Sequence, residues 1–330
     1  MALGQGVCEI FHKVGLAGIH VRFPGLASSA RCSEASVMER RSFLRRSAAT
    51  TLAFGSTGGL MAALAPDNAY RKNLGIQLYT LRDALGKDTL GTLKQVAAAG
   101  YKQVEGYGFP NCQPLIDGAK EAGLAMNSSH FEWDCVVNPK DEAMSDFQKV
   151  LDRAREVGLS DLVIPYLADG NRRTLDDYKK VAEHANRAAS LAKAAGLRLS
   201  YHNHAFELQP MEGDKCGYDV LIEEFSKDMM FEVDGFWIKV GGREPAAMIE
   251  KLAGRVSQVH LKDLKSGLTL PEFGQLPQDA FKELGEGIIA LEPILAAAEK
   301  AGVKHCHVEQ DYSPNAIESI RRSAAYLAKL

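Results

Sequence analysis

Four short segments hold the residue types from which a polar reaction centre is built. They are Tyr201-His202-Asn203-His204, Glu232-Val233-Asp234, Val259-His260-Leu261-Lys262-Asp263 and His307-Val308-Glu309-Gln310-Asp311. Each is an apolar, strand-like run whose last residues switch to imidazole and carboxylate. If the four runs are neighbouring parallel strands, His202, Asp234, His260 and Glu309 converge at one end of a sheet, where a divalent metal can collect them. Period-two alternation puts His260 and Lys262 on one face and Leu261 on the other. A lone His at a strand end is more often a hydrogen-bonded structural residue, but here several such ends recur together. A buried strand ending in Asp234 needs a charge partner, because an unpaired carboxylate is costly to desolvate. A metal supplies that partner, with an Arg or Lys as the plainer alternative. Glu309 follows the same logic, and Gln310 and Asp311 lie beyond it as supporting groups.

His202 and His204 point the same way across one strand and read as a ligand plus a proton-transfer group, either of which can touch the metal. The mixed imidazole and carboxylate set suits Mn, Zn, Co, Fe or Ni better than Ca, which prefers oxygen shells. Lys262 points at substrate or a ligand carboxylate, and Glu309 serves catalysis as well as ligation. Earlier in the chain, Gln77 and Tyr79 close a first strand, Glu105 a second, and His130 a third. Glu105 is expected to transfer protons, while Gln77, Tyr79, His130 and Asp263 are expected to contact substrate. Tyr107 and Trp237 offer flat faces on which a sugar ring can lie, although an aromatic near a strand end more often serves packing.

These residues need a scaffold, and the chain supplies one by repetition. From Asn73 onward a helical run rich in Ala, Lys and Glu ends at Gly and leads into a short apolar strand, as at Gly100, Gly123, Gly158, Gly196 and Gly302. Glycine suits the residue after a helix because it takes the left-handed conformation without a Cβ clash. Strands are expected near Leu74–Tyr79, Gln103–Tyr107, Ala125–Ser129, Leu162–Tyr166, Arg198–His202, Met230–Asp234, Val256–Leu261 and Lys304–Glu309. Strands alternating with helices over roughly 255 residues predict an α/β fold, a single-domain (β/α)8 TIM barrel, whose active site lies at the strand C-termini. A doubly wound sheet competes, but no GxGxxG follows the first strand. The connection from Lys265 to Pro293 is the expected lid or substrate loop.

The chain has 330 residues and a formal charge of -3. No long basic stripe favours nucleic acid. Six cysteines without a CxxC argue against a zinc–thiolate site. Residues 1–37 precede Met38 and read as an over-extended, disordered N-terminus. Residues 38–69 carry Arg40-Arg41-Ser42-Phe43-Leu44, a mild apolar stretch and Ala63-Leu64-Ala65, and resemble a twin-arginine export signal. The barrel is then expected over 70–330, periplasmic, with no membrane span in the mature form and a homo-oligomer allowed.

From Asn73 to the C-terminus the chain resembles the xylose isomerase-like TIM-barrel superfamily of sugar isomerases and epimerases, and within it the inosose dehydratase-like branch. The four segments above carry the resemblance, with Phe231, Trp237, Gly241-Gly242 and Leu284-Gly285-Glu286-Gly287-Ile288. The resemblance implies a divalent metal held by strands five to eight, binding adjacent oxygens of a hydroxy-ketone and stabilising an enediolate. It implies Asp234, His260 and Glu309 as ligands. In the sugar epimerases the strand-five ligand is a glutamate that also acts as base, whereas here the position is His202 or nearby. The expected activity is therefore a sugar isomerase or epimerase acting on an unphosphorylated keto-sugar or keto-glycoside. A dehydratase or lyase expelling a β-oxygen is the alternative, and a non-catalytic sugar-binding protein a further one.

Overall fold

The computed structural model describes residues 69–330. The two N-terminal segments, 1–37 and 38–69, thus fall outside the described residues apart from Ala69. Ten strands follow in chain order: β1 Gly75–Gln77, β2 Gln103–Phe109, β3 Ala125–Phe131, β4 Asp161–Ile164, β5 Arg198–His202, β6 Met229–Asp234, β7 Val256–Leu261, β8 Asp263–Leu264, β9 Phe281–Lys282 and β10 His305–Val308. β1 to β7 and β10 close into a parallel barrel, and β8 pairs with β9 as a separate antiparallel ribbon. The (β/α)8 expectation holds, with the eighth barrel strand being β10. No helix among the described residues is long and apolar enough to cross a membrane.

The helix Leu175–Ala194 illustrates how the sequence sets these elements. Thr174 accepts from the Asp177 amide at 3.1 Å and Asp177 accepts from the Thr174 amide at 2.8 Å, closing the first turn. Tyr178, Val181, Ala182, Ala185, Ala188, Ala189 and Ala192 form its buried stripe. Gly196 at φ +79 ends the turn, and β5 starts two residues later. Between barrel and helices sit large apolar groups such as Tyr201, Tyr218, Phe231 and Phe236. Each such burial removes about 1.5–3 kcal/mol of exposed apolar surface.

The barrel interior departs from the branched apolar layers usual for this architecture. Gln77, Glu105, Ser128, His202, Glu232, Asp234, Gln258, His260 and His307 are all buried. Strand register sets several of them side by side: Gln77 with Glu105, His202 with Glu232, Asp234 with His260, and His260 with His307. Buried polar groups of this density must satisfy one another or a bound ligand.

Candidate active site

The upper layer of the interior gathers the four expected ligands. His260 Nδ1 lies 2.8 Å from Glu309 Oε2 and 3.9 Å from Asp234 Oδ2, and His202 Nε2 lies 3.8 Å from the same Asp234 oxygen. One donor atom from each of His202, Asp234, His260 and Glu309 falls within 4.8 Å of the others. Asp234 is the pivot. Its Oδ1 caps the following helix by accepting from the Trp237 amide at 2.9 Å. Its Oδ2 is buried and accepts no well-directed hydrogen bond, although Lys262 Nζ is 3.1 Å away. A buried carboxylate oxygen without a directed hydrogen bond, ringed by two imidazole nitrogens and a second carboxylate, is a donor set that fits a divalent cation beside the Lys262 ammonium.

Lys262 enters this layer from the end of β7, with its ammonium 2.8 Å from both Glu309 and Asp311. Burial opposes its charge, but Asp234, Asp311 and Glu309 outweigh burial and hold it well above the ordinary lysine value. Burial alone would raise Glu309, yet Lys262 and His260 bring it far below the usual carboxylate range. At Asp234 burial prevails over Lys262 and His260, and the carboxyl rises to about 6. His202 is pushed well below the ordinary imidazole value by burial, then by His260.

His204 stands above His202, its ring stacked on Phe206 at 5.4 Å and tilted against Trp237 at 5.2 Å. Burial, then Lys262, lowers it to about 3, and its Nδ1 is buried without a partner. Glu207 fixes this turn, accepting from the His204 amide at 2.8 Å and the Tyr201 hydroxyl at 2.6 Å. At the C-terminal ends of β1, β4 and β10, Tyr79, Tyr166 and Tyr312 stay exposed, and Tyr107 meets Tyr79 edge-on at 5.7 Å.

Three expected site residues are placed differently from the reading above. Glu105 does not end its strand: β2 runs on to Phe109, so Glu105 lies mid-strand and fully buried, 2.8 Å beneath His260 Nε2. It therefore has no direct reach to a ligand at the mouth. Gln77 is equally buried, its amide donating to Glu105 and its oxygen accepting from the Tyr79 amide at 2.7 Å. Both carboxylate oxygens of Asp263 are engaged by backbone, accepting from the amides of Leu264, Gly285, Gly287 and Ile289 at 2.8–3.0 Å. It ties down the segment expected to be a lid. His130 sits between two buried carboxylates, 3.1 Å from Glu105 and 2.9 Å from Glu232. Burial opposes its charge, but Glu105 and Glu232 raise it to about 9.

Glu232 is an interior residue for which sequence reasoning found no role, as are Ser128, Gln258 and His307. The signal was available, since Glu232 precedes Asp234 by two and shares its face of β6. Further sets of close donors run through Glu232 and Glu105. The oxygens of those two are already bonded, to Gln258, Ser128, His130, His202, His260 and Gln77. Of these sets among the described residues, the upper one holds the carboxylate oxygen without a directed hydrogen bond, Asp234 Oδ2.

A family model described as xylose isomerase-like TIM barrel matches residues 93–330. The chain belongs to that family. Among curated relatives of this xylose isomerase-like barrel is an inosose dehydratase of Clostridium beijerinckii, 22% identical over 234 residues, covering 64% of this chain and 78% of the relative. Among solved structures, a sugar phosphate isomerase/epimerase from Parabacteroides distasonis aligns with a TM-score of 0.64 at 24% identity, covering 81% of this chain and 96% of that one. The IolI protein, solved with a zinc atom, aligns with a TM-score of 0.55 at 15% identity, covering 77% and 97%. At these identities the structural likeness shows the fold.

Proposed function

We propose that this barrel is a divalent-metal-dependent enzyme that takes a proton from the carbon next to the carbonyl of an unphosphorylated keto-sugar or keto-glycoside. The observation that carries the proposal is the buried convergence of His202 Nε2, His260 Nδ1 and Glu309 on Asp234 Oδ2, which has no directed hydrogen bond and has the Lys262 ammonium 3.1 Å away. His202, Asp234, His260 and Glu309 would hold the cation, which when bound supplies Lewis acidity to the carbonyl. The zinc in the IolI structure and the naming of relatives as isomerase/epimerase and dehydratase support the reading.

The remaining steps belong to this chain's own side chains. His204 is neutral above about pH 3, and its open Nδ1 can accept the proton, because negative charge developing on the substrate stabilises the imidazolium. Lys262 offers an ammonium to the opposite oxygen. Returning the proton gives isomerisation or epimerisation. Elimination is favoured as a second outcome because β5 presents imidazoles where a carboxylate base would stand, while the Lys262 ammonium offers positive charge to a departing β-oxygen that takes its proton from solvent. Trp237 and the exposed Tyr79, Tyr166 and Tyr312 give the mouth flat faces suited to a sugar ring. The Arg40-Arg41 segment supports twin-arginine export to the periplasm, where unphosphorylated sugars are the natural substrates.

The test is incubation of the metal-loaded protein with a panel of keto-sugars and keto-glycosides in deuterated water. Deuterium at the carbon next to the carbonyl is expected, and a conjugated enone absorbance would assign elimination. Ligand binding with neither signal would leave a sugar-binding protein and overturn the enzymatic reading.

A further inference from the structure

The two imidazoles of the upper layer each have a second nitrogen, and both of these face downward onto carboxylates. His202 Nδ1 lies 2.9 Å from Glu232 Oε2, with its Nε2 turned to Asp234. His260 Nε2 lies 2.8 Å from Glu105 Oε1 and 3.2 Å from Glu232 Oε1, with its Nδ1 turned to Glu309 and Asp234. The lower layer is itself held rigid. Gln258 Nε2 is 2.5 Å from both Glu105 and Glu232 and 2.8 Å from Ser128 Oγ, and His130 bridges the two carboxylates.

We propose that Glu232 is a positioning residue that fixes which nitrogen of His202 presents its lone pair to the cation site. A neutral imidazole carries one N–H, and the nitrogen that donates cannot also coordinate. A carboxylate accepts, so Glu232 holds the proton of His202 on Nδ1 and leaves Nε2 open toward Asp234. His260 carries a carboxylate at 2.8 Å on each nitrogen, Glu105 at Nε2 and Glu309 at Nδ1, so neither carboxylate alone selects its tautomer. His202 therefore faces the cation site through Nε2, and the His260 nitrogen on that side is Nδ1. A carboxylate behind an imidazole also makes it a stronger donor. This arrangement lets an imidazole serve at the β5 position, and it biases the site toward zinc, cobalt or nickel over manganese.

The proposal rests on the metal-dependent reading, and its test separates the two. Nitrogen-15 spectra of histidine-labelled, metal-free protein report the tautomer of His202, and chelator competition reports zinc affinity. The expected result is an Nδ1-protonated His202 in the wild type, loss of that single tautomer in Glu232→Gln, and zinc binding weakened about 10–100-fold. An Nε2-protonated His202 in the wild type, or an unchanged tautomer and affinity in the variant, would overturn it. Should Glu232→Gln fail to fold, the wild-type tautomer still decides. A wild type that binds no metal would overturn the metal-dependent reading while the tautomer result stood on its own.

Discussion

Lys262 is the residue on which stability and chemistry meet. Its ammonium lies within 3.1 Å of Asp234, Glu309 and Asp311, all buried or partly so. Removing one partner from a buried ionic cluster leaves the others uncompensated, at a cost of about 3–5 kcal/mol. Lys262→Met should lower the stability of the metal-free protein by that amount in denaturant unfolding. It should also slow proton exchange on a keto-sugar by about 10²-fold or more, as expected for loss of a positioned positive charge facing the developing oxyanion. Wild-type stability together with wild-type rate would remove Lys262 from both roles. Asp234 and His204 were legible in the sequence because each ends a strand or its turn. Glu105 was misplaced by one layer, because the extent of β2 depends on pairing with β3 rather than on local pattern.

At the scale of elements, two carboxylates act as braces. Asp263 gathers four backbone amides across the loop that returns toward β10, and Gly287 approaches so closely that an added Cβ would stand 2.2 Å from Asp263 Oδ1. Asp263→Ala should cost about 2–3 kcal/mol, the order expected when hydrogen bonds to a charged acceptor are lost. Faster hydrogen exchange at the amides of Gly285, Gly287 and Ile289 is the readout, and unchanged protection there would contradict the brace. This role was not legible, because the amides lie 21 or more residues away along the chain, apart from that of Leu264.

Glu207 braces the turn after β5. Burial raises it from the ordinary 4.5 to about 7, against the pull of Tyr201 and nearby backbone amides. A folded-state value above the unfolded one means the native protein binds the extra proton. Its contribution to stability is full below about pH 4.5 and is lost as pH rises through about 7, on the order of 3 kcal/mol at most. Glu207→Gln should therefore flatten the fall in melting temperature between pH 5 and 7. An unaltered slope would show that Glu207 does not titrate there.

For the molecule as a whole, the glycine-punctuated alternation of helix and strand made the barrel readable, because helix ends and strand starts are local events. The polar filling of the barrel was only half readable, since mid-strand Glu232, Gln258 and Ser128 show their meaning when register brings them together. That filling has a thermodynamic consequence. A cation bound only by the folded state stabilises it by about 4 kcal/mol at a thousandfold excess over Kd. In a domain of this size that corresponds to a rise in melting temperature of about 8–16 °C. Chelator should reverse the rise, and a melting temperature indifferent to metal and chelator would argue against a site in the interior.

The most direct measurement is the metal content of residues 70–330, purified and then incubated with Zn, Mn or Co, beside Asp234→Asn. One equivalent is expected in the wild type and little in the variant, because Asp234 Oδ2 is the oxygen around which the other candidate donors converge. No bound metal in the wild type, or equal content in both, would contradict the account.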